Sequence, residues 1–503
     1  MTKSLSVIIT AEPRSAVQSI EAIVSCCRKL QPTEIVMVVD KENEALVSRA
    51  KQWGCTVHPV DRSLNLYGKR AVGAETVKGD VLLFLDGGRS CETRHLIKIV
   101  EPAMYSGADA VLIQRKSLVS GSRIPSAEAV WAASWNRFTG RDDLYASSLF
   151  AAPFVLSRRI VQQAGAQALR NPVLFYTTLL QSRMHIRHPA GMTEAAFPRI
   201  VFDPRSQGSL SWELSEEEQF AVTLYLEAFG AWIPKPRGGF TDGERRRELV
   251  EGLKAGKQSF PIHMPKEPLP ASSLYSGKKL SVIIPARNEE ATIQQQIRQI
   301  LSIEPAEIIV VANGTNDRTA ELALAGGASV VNIPEALGTD TGRAVGAYFA
   351  KGDIVLFVDA EPVIAAEDLY PFALAVERGA DLALNESRPF AETAFTTQGV
   401  TPAMFALNMA LGKKHLGAGS MVMIPFAMSR KALRTIGWEH LLCPPRAMAM
   451  GVLKGLKVIR AHRVDVEKNN KLRPEKHATG IANQQIIGDH IEAIHYLLEQ
   501  RGK

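Results

Sequence analysis

Along residues 280–361, short apolar runs alternate with segments whose apolar residues recur every three or four positions. LSVIIPA (280–286), EIIVVAN (307–313), SVVNIP (329–334) and DIVLFVD (353–359) have strand length and are rich in β-branched residues. Between them, ATIQQQIRQILSI (291–303), TAELALAGGA (319–328) and GRAVGAYFAKG (342–352) carry apolar residues at helical spacing. Strands that are apolar throughout lie in sheets covered on both faces, and strands separated by helices predict a mostly parallel sheet. The fold class expected is α/β. Such sheets bind ligands beyond the carboxyl ends of their strands. PARNEE (285–290), ANGTND (312–317) and DAEP (359–362) all stand at such ends.

The pattern is written twice. KRAVGAETVKGDVLLFLDGG (69–88) overlies GRAVGAYFAKGDIVLFVDAE (342–361) without a gap, pairing Arg70 with Arg343, Gly79 with Gly352 and Asp86 with Asp359. LSVIITAEPR (5–14) matches LSVIIPARNE (280–289), EIVMVVD (34–40) matches EIIVVAN, and PFVLSRRIVQQAG (153–165) matches PFAMSRKALRTIG (425–437). Order and spacing hold together, so the chain is a tandem duplication. Copy one is expected over 1–232 and copy two over 280–503. Residues 233–279, rich in Pro, Gly and Lys, are expected to form a linker with one short charged helix. Each copy closes on a further helix, 215–229 and 483–500, the latter with Ile487, Ile491, Ile494 and Leu498 on one stripe. Packing of that stripe on its own domain is expected, because its polar face is not basic.

Composition narrows the class. With 503 residues, 46% hydrophobic and 22% charged, the chain is a soluble globular protein of at least two domains. It has no apolar stretch of membrane-spanning length. Five irregularly spaced cysteines argue for a reduced, cytoplasmic compartment and against a disulfide frame. The formal charge of +7 suits an anionic partner: a nucleotide, a phosphorylated lipid or, by peripheral contact, an anionic membrane surface. No basic stripe with interleaved aromatics is present, which argues against nucleic acid.

LSVIIPARNEEATI, IIVVANGTNDRT and GRAVGAYFAKGDIVLFVDAE, in that order, resemble family 2 glycosyltransferases of the A-type nucleotide-sugar-binding fold. The resemblance covers most of 280–460 and, more weakly, 5–190. It implies two tandem Rossmann-like domains and transfer of a sugar from a nucleotide diphosphate, expected to be UDP-linked, to a glycan, lipid or phosphate acceptor. Cell-envelope polysaccharide or glycolipid synthesis is the implied setting. It points to Pro285, Arg287, Glu289 and Asn313 at the base and to Arg343 near the diphosphate. Asn313 stands where the family usually has Asp, which Asp40 keeps in copy one. Asp359 and Glu361 fall at the family's Asp-x-Asp position and would hold Mg2+ or Mn2+, with His477 as a further ligand and His462 as its rival. Copy one has LDGGRS there, with Gly88 in place of the second acid, so it is expected to be non-catalytic.

One feature departs from the family. The acidic pair that supplies a general base is expected near residues 443–444, where this chain has Cys443 and Pro444. Glu439, Glu386 or Asp381 could reach the acceptor instead, with Glu439 the first choice. Alternatively, an acceptor phosphate or carboxylate would need no base. A non-catalytic nucleotide-sugar-binding scaffold is the rival function. A nucleotidyltransferase fits less well, since PARNEE is not a Gly-rich basic loop.

Overall fold

The computed structural model describes residues 3–11, 17–116, 124–197, 213–270, 274–386, 400–466 and 481–502. The chain forms two compact units, with the division between Trp232 and Ile233. Unit 1 contains β1 (Leu5–Thr10), β2 (Glu34–Asp40), β3 (Thr56–Val60), β4 (Val81–Asp86), β5 (Ala110–Leu112), β6 (Phe154–Ser157) and β7 (Ile186–Arg187). They lie in the order β3-β2-β1-β4-β6-β5-β7. Pairing is parallel except that β6 runs against both β4 and β5.

Unit 2 contains β8 (Ile262–His263), β9 (Leu280–Ala286), β10 (Glu307–Asn313), β11 (Ser329–Ile333), β12 (Ile354–Phe357), β13 (Leu382–Asn385), β14 (Phe426–Ser429) and β15 (Val458–His462). Their order is β8-β11-β10-β9-β12-β14-β13-β15. Without β8, an antiparallel edge strand, the sequence of strands is that of unit 1. The register repeats as well: Ile8 faces Phe84 in one sheet and Ile283 faces Phe357 in the other. The central strands are buried along their whole length, which is why they read as unbroken apolar runs.

One helix in each unit packs unusually close to the sheet. A Cβ at Gly73, in the helix Leu66–Thr76, would run into Ile8, and one at Gly346, in the helix Thr339–Phe349, would run into Ile283. Only glycine allows that approach. It places the side chains of the first helical turns over the strand ends.

Residues 233–279 do not form a linker; they belong to unit 2. The helix Glu244–Lys254 puts Leu249, Val250 and Leu253 into the unit's core, and Tyr275 joins them with its hydroxyl donating to Ile303 O at 2.7 Å. Arg237 donates to Asp489 Oδ1 at 2.5 Å and Glu492 Oε2 at 3.1 Å. Arg246, fully buried, donates to Asp489 Oδ1 at 3.1 Å and Leu442 O at 2.8 Å, and Arg247 reaches Glu492 at 2.7 Å. Composition reports how stiff and soluble a segment is, not which distant acids await its arginines. Those acids lie on the C-terminal helix Ile481–Arg501, where Ile487, Ile491 and Ile494 are buried within unit 2 together with Asp489 and Glu492. Among the described residues no helix is long and apolar enough to cross a membrane.

Removing one partner of a buried ion pair leaves an uncompensated charge and costs about 3–5 kcal/mol. Asp489→Ala is therefore expected to lower the unfolding free energy of unit 2 in urea by that amount, whereas Asp61→Ala, which breaks the exposed Lys41 pair, leaves the unit 1 transition in place. A chain starting at residue 280 is expected to unfold at lower urea than one starting at 233, followed by circular dichroism.

Candidate functional site

The site in unit 2 is assembled from the carboxyl ends of β9, β10 and β12 and the first turns of the helix Thr339–Phe349. After β9 the chain passes through Asn288, which takes a left-handed φ of 56°, a conformation Asn tolerates. Asn288 Oδ1 accepts from Asn316 N–H at 2.9 Å, and Glu289 N–H donates to Thr319 Oγ1 at 2.7 Å. Asp317 accepts from Glu290 N–H and from Thr319. The two strand-end loops are thus laced together. Pro285 and Glu289 are buried and Arg287 is exposed.

Asn313 is buried, and its amide is committed to the turn before the helix. Its Nδ2 donates to Gly338 O at 2.6 Å and its Oδ1 accepts from Leu337 N–H at 2.9 Å. An aspartate could not make the first of these bonds. Here the Asp-to-Asn change has a structural consequence that sequence alone did not disclose.

Arg343 lies one turn into the helix and is buried. It donates to Asp340 Oδ1 at 3.1 Å and Asp359 Oδ1 at 3.3 Å, approaches the carbonyls of Met421 and Val422, and lies over the Phe426 ring. Burial opposes its charge, but Asp359 and Asp340 outweigh it and hold the guanidinium pKa above its ordinary value. Burial in turn pushes Asp340 up. Asp340 escaped sequence reasoning, although its place three residues before Arg343 on a helix was a usable signal.

Asp359 follows β12 directly, with its side chain 28% exposed, and Glu361 is half-buried two residues on. Among the described residues Asp359 accepts one long bond, from Arg343 at 3.3 Å. The unit 1 counterpart contrasts sharply. Asp86 is 8% exposed and accepts from Arg70 Nη2 at 2.7 Å, Arg70 Nε at 3.3 Å, Thr10 Oγ1 at 3.0 Å and Ala152 N–H at 3.2 Å. Four donors saturate it. Hard oxygen donors suit Mg2+ and Mn2+, and among the described residues Asp359 is the more exposed of the two acids.

The other expected site residues do not gather here. Glu439 is bound by Lys254, and its neighbour Trp438 packs on Tyr348 at the far end of Arg343's helix. Its place on the turn Trp438–Leu442 sets it beside that far end. Asp381 precedes β13, at the wrong end of the sheet, and is tied to Lys431 and Ser429. Glu386 follows β13 at the right end and pairs with Arg460. His462 is engaged with Asp368 at 2.8 Å, and His477 lies outside the described residues.

Cys443 caps the helix Pro444–Leu453, and the acids beside it come from elsewhere in the chain. Cys443 Sγ and carboxylate oxygens of Asp489 and Glu492 lie within 4.8 Å of one another. Arg237, Arg246, Arg247 and Arg446 neutralise this group, which makes it an ion-paired core and a poor cage for a cation.

Residues 281–435 match the family described as Glycosyl transferase family 2. Over 98 residues the chain is 37% identical to glucosyl-3-phosphoglycerate synthase of Mycobacterium tuberculosis, covering 17% of this chain and 30% of that protein. Over 100 residues it is 34% identical to 4,4'-diaponeurosporenoate glycosyltransferase of Staphylococcus aureus, covering 19% and 27%. The chain thus spans less than a third of the length of these curated relatives. A crystal structure of the M. tuberculosis synthase in complex with Mn2+, uridine diphosphate and phosphoglyceric acid is similar at a TM-score of 0.37 and 20% identity, covering 47% of this chain and 87% of that one. The residues that match the family lie in the second unit of the chain.

Proposed function

We propose that unit 2 transfers a sugar from a nucleotide diphosphate, UDP-linked, to a hydroxyl or phosphate acceptor, with Mg2+ or Mn2+ bound by Asp359, Glu361 and His477. The observation that carries this reading is the partly exposed Asp359 beside a buried, doubly paired Arg343 at a strand end. Pro285, Arg287, Glu289 and Asn313 border the nucleoside side of that end. Arg343 faces the diphosphate, held at the correct depth by Asp340. When bound, the cation neutralises charge on the leaving diphosphate.

The acceptor stays open as a class. The two sequence relatives are named for a phosphoglycerate and a diaponeurosporenoate. Cys443 and Pro444 offer no carboxylate, and the nearby Asp489 and Glu492 are held by arginines. That favours an acceptor that arrives already ionised, such as a phosphate, which needs no base. Cell-envelope polysaccharide or glycolipid synthesis is the setting we infer, with an anionic membrane surface as a peripheral contact. The same missing acid favours, as a second reading, a scaffold that binds a nucleotide sugar without turning it over. Unit 1, with Asp86 saturated and Gly88 at the second acid, is the non-catalytic half.

Calorimetry on the full chain with UDP and Mn2+ tests the site. Asp359→Ala and chelation of the metal are each expected to weaken binding by about a hundredfold or more, the scale of several kcal/mol of metal–phosphate interaction, while Asp86→Asn leaves it unchanged. Binding indifferent to both the chelator and Asp359→Ala would sink the metal-dependent reading. Glu439→Gln is expected to leave turnover of UDP-sugars unaltered. Tight binding with no sugar release across a panel of UDP-sugars, with and without phosphorylated acceptors, would favour the scaffold.

A further inference from the structure

The two units differ at three positions that meet in space where β1 and β2, or β9 and β10, end against the site helix. In unit 2 these are Pro285, Asn313 and Gly342; in unit 1 they are Thr10, Asp40 and Lys69. A Cβ at residue 342 would come within 2.7 Å of Pro285 Cβ, so in unit 2 the helix lies too close to the strand end to carry a side chain there without shifting. In unit 1 the proline is gone, and Thr10 turns its hydroxyl to Asp86. Lys69 then enters the crevice, with its Nζ 2.5 Å from Asp40 Oδ1 and donating to Ala11 O at 3.0 Å. The lysine side chain is 4% exposed and the aspartate 7%.

We propose that Lys69 is a built-in occupant of the crevice that takes the nucleoside in unit 2, so that the chain binds one nucleotide diphosphate, not two. This rests on the reading of unit 2 given above. A nucleoside entering unit 1 would have to evict an ammonium group that is already out of water and paired with Asp40. Stranding either charge of a buried pair is strongly unfavourable. The rest of the unit 1 site is closed in the same sense. Asp86 has no unspent oxygen, residue 88 is glycine, and the following Arg89 is anchored to Phe197 O and Glu194. Asp40 therefore looks like the better preserved of the two family acids, yet it is the one already taken.

The test counts sites on the full chain by equilibrium dialysis with UDP and Mn2+. One UDP per chain is expected for the natural sequence and none for Asp359→Ala. Adding Lys69→Gly to Asp359→Ala is expected to open a weak site in unit 1, lost again on Asp40→Ala. Residual binding in Asp359→Ala that Asp40→Ala removes would overturn the proposal. So would a folded Lys69→Gly chain with no new site. Lys69 acetylation, read by mass spectrometry on the natural chain, decides the point even where Lys69→Gly fails to fold. It should be at least about tenfold slower than that of exposed Lys41, because the buried pair reacts only through local opening. Equal rates would overturn the proposal. Absence of any UDP binding by the natural chain would defeat the reading of unit 2, and the acetylation rates would still judge whether Lys69 fills its crevice.

Discussion

Both units are organised around one buried arginine that reaches from a helix to the aspartate ending the fourth strand of the repeat. Arg70 and Arg343 each lie across a phenylalanine, Phe154 or Phe426, that stacks on a second ring, Phe84 or Phe357, in the neighbouring strand. Each also addresses two consecutive carbonyls, Leu149 and Phe150 in one unit and Met421 and Val422 in the other. A guanidinium cannot shed its charge and is costly to bury unpaired, so the aspartate, the carbonyls and the ring must be supplied together. How firmly the aspartate is held then separates the units. In unit 1 it is consumed by its neighbours. In unit 2 Asp340 shares the arginine, and among the described residues Asp359 is held by one long bond.

The residue facing that arginine across the helix turn shows the same divergence. Tyr67 in unit 1 corresponds to Asp340 in unit 2. Tyr67 packs edge-on to Phe150, which stacks on Tyr225, which stacks on Trp131. In unit 2 Asp340 lies close enough to Arg246 and Asp489 for their charges to interact. Burial raises Asp489 to about 6, against the pull of Arg246 and Arg237. An apolar column would have been the more stable filling, since a buried ion-pair network rarely exceeds a hydrophobic replacement. The charged one keeps polar groups next to the helix that carries Arg343.

Much of this was legible in the sequence because the repeat acts as its own control. The ungapped match of 69–88 to 342–361 pairs Arg70 with Arg343 and Asp86 with Asp359, and those pairs occupy equivalent places in the two sheets. Strand periodicity and glycine placement are local properties, so the α/β architecture follows from short windows. What stayed hidden was long-range. Nothing near ERRRE (244–248) hints that its partners lie more than 240 residues away, so a core element passed for a linker. Glu439 was chosen for its place in the chain, and a short turn carries it to the other end of the helix.

Lys69 and Gly342 show most directly why a count of acids says little about how each acid is engaged. Unit 1 keeps the aspartate at the end of its second strand, where unit 2 has asparagine. The retained acid is neutralised by a lysine that glycine replaces in unit 2, while the asparagine braces the turn at Leu337 and Gly338 that begins the site helix. A carboxylate serves a ligand only where the fold has not already supplied its cation. In unit 1 the fold supplies one to Asp40 and another to Asp86; in unit 2, among the described residues, Arg343 is divided between Asp340 and Asp359.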